Sequence, residues 1–432
     1  MSPVTLLAAD AAALLRPVDT LGLGLGPANP HALLGALSAR EDFVDLTVGG
    51  ALLLGLFELI GRPGVHYRCG FYGPVERLYK ARGADVQLVP AGFRQFATVL
   101  ERFAPRVMAV QAAPPDDEGR CSLSLHYGAT RDALLAAGRD PDRMLIVELN
   151  PALPRTAALA GYDNTLPYEL ADVVVEGDAP LVALPEPVTT EADETIAERA
   201  LGYVTDDATL QTGIGAIPSI VAARLAVRRG GGYGVHSEMF TDGLMALHRA
   251  GKVTNAAKGQ FDGVAVTTFA LGSLELYGWL DENPLVAFGP VSVVNDPAVI
   301  RQNRRFVSIN GAIQVDLYGQ VVADAVGGRQ ISGVGGHEDF VAGADLDTED
   351  RSLVCLRSTV DVGGVRRSRI VATLDTGSVV ATPRHHTGTV VTEYGAAELA
   401  GRTVRERAVA LAAIAHPDFR DELDDAARRM DP

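Results

Sequence analysis

Short apolar runs, each closed by Gly, Pro or Asp, alternate along this chain with Ala- and Leu-rich segments of helical character, and that alternation restricts the fold to α/β layers. Runs 107–111, 145–148 and 173–176 read as strands, the last entered from Asp172. Runs 132–137 and 404–415 read as helices. The second opens on Thr403-Val404-Arg405-Glu406, a capping box whose hydroxyl and carboxylate satisfy the first free amides. At 432 residues the chain exceeds one ordinary core and fits two domains. Run 184–193 is rich in Pro, Thr and Glu and has no apolar face, so the boundary is expected there, with an N-terminal domain over 1–185 and a C-terminal domain over 194–432. Two glycine-rich turns, Thr20-Leu21-Gly22-Leu23-Gly24-Leu25-Gly26 and Thr209-Leu210-Gln211-Thr212-Gly213-Ile214-Gly215, each lead into an apolar helix, as two related halves would.

Charge excludes some functions. Against 38 Lys and Arg stand 54 Asp and Glu, a net charge of -16, which argues against nucleic acid or an anionic membrane as the main partner. A phosphate-bearing ligand must then be held locally. Cys69, Cys121 and Cys355 form no CxxC pair, so neither a disulfide framework nor a cysteine zinc site is expected, and a cytoplasmic setting is the natural reading. The start of the chain lacks the cationic opening of a signal peptide, and the greasiest run, 48–60, is short and holds Glu58; no targeting or membrane-spanning segment is expected. Nine histidines are scattered without the i, i+4 spacing of a helical metal pair, so no metal site is assigned.

Three clusters carry candidate chemistry. In Gly234-Val235-His236-Ser237-Glu238-Met239-Phe240-Thr241-Asp242-Gly243, one carboxylate, Glu238, stands at a strand end before a helical run, where a dry pocket and oxyanion donors would make it a nucleophile. His236 would share its face and is read as a packing or hydrogen-bonding neighbour. The turn Gly213-Ile214-Gly215 brings backbone amides close to a bound group at a helix start; Pro218 breaks any G-x-G-x-x-G pattern, so no dinucleotide fold is indicated. The cluster Ser332-Gly333-Val334-Gly335-Gly336-His337-Glu338-Asp339-Phe340 is richer in glycine than a simple turn requires and leaves N–H groups to aim at an anion. Arg301, Arg304 and Arg305 are read as a solvated face.

These clusters occur in one order with Val294-Asn295-Asp296-Pro297, the run 307–320, Val390-Val391-Thr392-Glu393-Tyr394-Gly395 and Ala415-His416-Pro417-Asp418-Phe419-Arg420. Together they resemble the motifs of the acetyl-CoA hydrolase/transferase family of CoA-transferases. Pro114-Pro115-Asp116 and the run 148–156 agree less strongly in the first half. Two departures stand out: His337 where many relatives carry Gln, and Ala113 where Ser is usual.

The resemblance implies two related Rossmann-like open-sheet α/β domains of the CoA-transferase type with the active site between them, and a homodimer. It implies that Glu238 is the nucleophile of a glutamyl-CoA thioester, that the amides of Ile214 and Gly336 hold the oxyanion, and that Asn295 orients the acyl group. Gly213, Gly215, Gly333 and Gly335 would line the CoA-binding loops, and Glu393 would be a secondary carboxylate of the site. CoA would be a substrate, with no bound cofactor, and the partners acyl-CoA and small carboxylic acids. A hydrolase in which water intercepts the intermediate is the alternative, and a non-catalytic acyl-CoA sensor a more distant one.

Overall fold

A computed structural model describes residues 2–430. The chain forms two compact units, one of residues 1–185 with 266–294, the other of 186–265 with 295–432. The cut at 185/186 falls inside the run expected to link two domains. The excursion 266–294 was not legible, because what returns it to the first unit is a long-range pairing: strand Val286–Phe288 lies parallel to Ala157–Ala158. The expected linker is also shorter than its composition implies. Thr190 accepts from the amide of Asp193, and Asp193 returns a bond to the amide of Thr190, so helix Glu191–Leu201 begins within the Thr/Glu-rich run.

The first unit is built on an eight-stranded, wholly parallel sheet in the order Val4–Leu6, Val173–Glu176, Met144–Leu149, Val107–Ala112, Val18–Leu23, Asp45–Gly50, Val65–Cys69, Asp85–Leu88. Val107–Ala112 is buried at every position, as a central parallel strand covered on both faces must be. Leu21, Leu23, Leu46, Val48, Tyr67 and Val107 join helix residues Leu33, Leu34 and Leu37 in one core. The helix His31–Ser38 has no side-chain cap of its own. Glu148, fully buried on a neighbouring strand, supplies one: its two carboxylate oxygens accept from the amides of Ala32 and Leu33, each at 3.0 Å. Burial pushes this carboxyl upward, and the two amides pull it back toward the ionised form.

The second unit holds a six-stranded sheet, ordered Gly234–Val235, Thr209–Thr212, Phe306–Gly311, Arg351–Cys355, Thr389–Thr392, Gly395–Glu398. Its first five strands are parallel and only the last turns back antiparallel. Val354, Val390 and Ala397 of this sheet pack on Ala408, Leu411 and Ala412 of helix Val404–Ala413. The capping box of that helix forms as read: the Thr403 amide donates to Glu406 at 2.8 Å and the Glu406 amide to Thr403 at 3.3 Å. Both glycine-rich turns of the sequence become strand-to-helix turns. Thr209–Thr212 runs into helix Ala216–Val227 through Gly215, whose φ of +127° is adopted at little cost only by glycine.

Replacing Glu148 by Ala leaves the buried Leu33 amide and the part-buried Ala32 amide without an acceptor and is expected to cost about 2 kcal/mol in urea unfolding. A loss below about 0.5 kcal/mol would show that the cap is dispensable.

Candidate active site

Glu238 does not end a continuous strand. Gly234–Val235 stops, and Glu238 occupies a bend before the two-residue strand Met239–Phe240. The break has a physical cause in its neighbours. His236 is fully buried among Phe261, Phe306 and Phe340, with ring centroids 6.3, 6.4 and 6.3 Å away, so its ring packs in this aromatic cluster. Ser237, also fully buried, donates to the carbonyl of Thr212 at 3.0 Å and accepts from its amide at 3.4 Å. The backbone before Glu238 is thereby tied to the strand end that leads into Gly213 and Ile214.

Asn295 meets Glu238 from a turn between helices Val291–Val294 and Pro297–Ile300, where Asp296 accepts from the amide of Ala298 at 2.9 Å. The fully buried Asn295 amide nitrogen donates to Glu238 Oε2 at 2.6 Å and to Asp339 Oδ2 at 3.3 Å. Two acceptors at one end fix which way the amide points, because its oxygen would repel both carboxylates there. Its Oδ1 is buried without a hydrogen-bond partner.

Gly336 closes the group. A Cβ at this position would overlap the Glu238 carboxylate and the Asn295 amide, so only glycine lets this backbone approach the carboxylate. Gly335, at φ +56°, makes the preceding left-handed turn, and Gly333 lies earlier in the same loop. The loop feeds helix His337–Gly343, pinned on its other side by Glu338, which accepts from Thr382 at 2.7 Å and pairs with His386 at 2.6 Å. His337 takes part through Thr382, 2.9 Å from its Nε2. Burial lowers its pKa to about 4, so at neutral pH the departure from Gln adds no charge beside the loop.

The electrostatics of the trio follow from two carboxylates sharing one donor. Desolvation drives the pKa of Glu238 up to about 8, the Asn295 hydrogen bond opposes this, and the negative charge of Asp339 adds to the rise. A carboxyl so placed is poorly solvated when ionised, the state in which it is most reactive toward a carbonyl.

Glu238, Asn295 and Gly336 are thus brought into mutual contact. Ile214 and Gly215 line a pocket at the start of helix Ala216–Val227, and an added Cβ at Gly213 would meet nothing within 4 Å. Glu393 is held by Ser358: its two oxygens accept from the Ser358 amide at 2.9 Å and hydroxyl at 2.6 Å. Asp339, which the sequence reading assigns no role, lies inside the glycine cluster, and its position three residues past Gly336 on the first turn of a helix is the signal the sequence offers for it. Arg305 faces Asp207 and Glu349 at 3.8 and 3.7 Å, as a solvated cation does.

A model of the acetyl-CoA hydrolase/transferase C-terminal domain matches residues 272–427. The 4-hydroxybutyrate coenzyme A transferase of Clostridium kluyveri is 40% identical over 335 residues, covering 78% of this chain and 74% of its own. The succinyl-CoA:cyclohexane-1-carboxylate CoA transferase of Geobacter metallireducens is 35% identical over 428 residues, 98% of this chain and 94% of the relative. An acetyl-CoA hydrolase of Eremothecium gossypii stands farther off, 24% identical over 359 residues and covering 74% and 65% of the two chains. Among solved structures, RipA from Yersinia pestis superposes with a TM-score of 0.87 at 33% identity, spanning 99% of this chain and 97% of RipA. The chain belongs to the acetyl-CoA hydrolase/transferase family, and within it stands with the CoA-transferases.

Proposed function

We propose that this enzyme moves CoA from an acyl-CoA to a carboxylate acceptor through a glutamyl-CoA thioester at Glu238. The observation that carries the reading is the contact of a desolvated carboxylate with one side-chain donor, Asn295, and with a glycine backbone that no other residue could bring so near. In the first step a Glu238 oxygen attacks the thioester carbonyl, and the resulting oxyanion is held by the Ile214 and Gly336 amides. The C–S bond breaks, leaving an acyl-glutamyl anhydride and CoA thiolate. The thiolate then attacks the glutamyl carbonyl, the anhydride C–O bond breaks, and the donor carboxylate departs. An acceptor carboxylate reverses the sequence.

Transfer is favoured over hydrolysis by the greater similarity to transferases and by the burial around Glu238, which restricts water. Each unit is read as a Rossmann-like domain of the CoA-transferase type, and the working form as a cytoplasmic homodimer that uses CoA as substrate without a bound cofactor. Three buried, unbridged cysteines fit a reducing compartment.

The covalent step is tested by incubating the enzyme with acyl-CoA, trapping with borohydride or hydroxylamine, and locating the adduct by mass spectrometry; it is expected on Glu238. Glu238→Ala should lose at least about a thousandfold in kcat, and undiminished turnover would move the chemistry elsewhere.

The pH dependence has a definite sign. Attack needs the ionised carboxylate, so kcat/KM should rise with pH and level off above a midpoint near 8. Asp339→Asn removes a negative neighbour and should carry that midpoint to lower pH; an unmoved midpoint would show that Asp339 does not act on Glu238.

Stability gives an independent reading of the same carboxyl. Its folded pKa lies above the ordinary 4.5, so the folded state retains the proton longer, and the stability associated with this group falls as pH rises from 4.5 through 8. Glu238→Gln should therefore gain stability relative to the parent across that window, on the order of a few kcal/mol by its upper end. A pH-independent difference in urea unfolding would contradict the shift.

A further inference from the structure

The sheet of the second unit reverses its winding at Thr209–Thr212: the strand Gly234–Val235 lies parallel on one side of it and Phe306–Gly311 parallel on the other. In open parallel sheets the connections leaving two such strands diverge, and the crevice beyond their carboxyl ends is where ligands settle. Here that crevice is a pocket of about 280 Å³. One wall is Ile214 with the start of helix Ala216–Val227, whose N-terminus carries no side-chain cap; Asn310 and the arginines Arg357 and Arg369 form the other.

The two arginines differ in what they hold. Arg357 is paired bidentately with Asp193, at 2.9 and 2.6 Å, and Asp193 also accepts from the amide and hydroxyl of Thr190. Arg369 has no such partner. Its backbone is fixed on both sides, the amide donating to Ser358 and the carbonyl accepting from Val315, each at 2.8 Å. Its Nε is buried without a hydrogen-bond partner, and among the described residues no ion pair reaches the guanidinium. The nearby carboxylates are committed, Asp193 to Arg357 and Thr190, Glu393 to Ser358. A half-buried guanidinium gives up hydration, and beside it the charge of Arg357 adds to that cost; Glu393 and Asp193 act on Arg369 only through their charge, already committed to other donors, and leave its Nε without a hydrogen bond. An incoming oxyanion would offset that cost. The same charge, with that of Arg357 and the helix N-terminus, faces one pocket at the end of the strand to which Ser237, next to Glu238, is bonded.

We infer that this crevice seats a phosphate group of the CoA substrate, with Arg369 as its principal anchor. The inference rests on the acyl-CoA reading above, in which the Ile214 wall of the crevice stands toward the thioester, and it assigns the phosphate to the facing wall that carries Arg369. Binding energy spent there is what would hold the reacting carbonyl at Glu238.

The test compares kcat/KM for an acyl-CoA with that for the same acyl group on pantetheine, which lacks the phosphates, in one preparation of Arg369→Gln. The expected result is a loss of about 10- to 100-fold for acyl-CoA with the pantetheine thioester unaffected, and partial recovery in Arg369→Lys. Loss of folded enzyme would lower both substrates together, so the ratio reports the phosphate contact alone. Equal losses for both thioesters in a variant whose circular dichroism and urea unfolding match the parent, or an effect confined to KM for the acceptor carboxylate, would overturn the assignment. The trapped adduct on Glu238 at saturating acyl-CoA should persist in the variant, which separates failure of this inference from failure of the covalent mechanism.

Discussion

A parallel sheet must be covered on both faces, and from that constraint follows most of what the chain does. Strands such as Val107–Ala112 are apolar at nearly every position because neither face meets water. Each strand must then be followed by a connection that returns the chain to the opposite edge. The connections leaving the carboxyl ends are consequently the places where polar backbone and side chains gather. In the second unit, Gly213 to Gly215 leaves one such end, and Ser237 is bonded to that same strand end just before Glu238.

Around Glu238 the protein concentrates unfavourable terms. A carboxylate is withdrawn from water, a second carboxylate stands close by, and the Asn295 amide nitrogen reaches both. The fold tolerates this because Asn295 and Asp339 ride on short, well-anchored elements: a turn capped by Asp296 and a helix tied down by Glu338 through Thr382 and His386. Strain of this kind is the counterpart of reactivity, since a group comfortable as a solvated anion has little reason to attack a thioester.

Glycine serves two different physical purposes here. Gly215 and Gly335 adopt backbone angles that side chains resist. Gly336 does not; it is glycine because the carboxylate and the amide fill the space a Cβ would need. Sequence reading pooled these glycines as members of amide-rich loops. It could not separate them, because φ and close approach are properties of the folded chain.

The sequence by itself determined the α/β class, three strands of the first sheet, two helices and the capping box at Thr403, because apolar periodicity and local capping depend on near neighbours in the chain, and its motif order, through the family resemblance, names Glu238, Asn295 and Gly336. Tertiary structure alone decided that 266–294 belongs with the first unit, that Glu238 lies in a bend, that Glu393 is bound to Ser358, that Asp339 shares the Asn295 amide and that the Arg369 Nε is buried without a hydrogen-bond partner. Each of these depends on groups tens to hundreds of residues apart, and their juxtaposition is set by packing around the sheets, which no local pattern encodes.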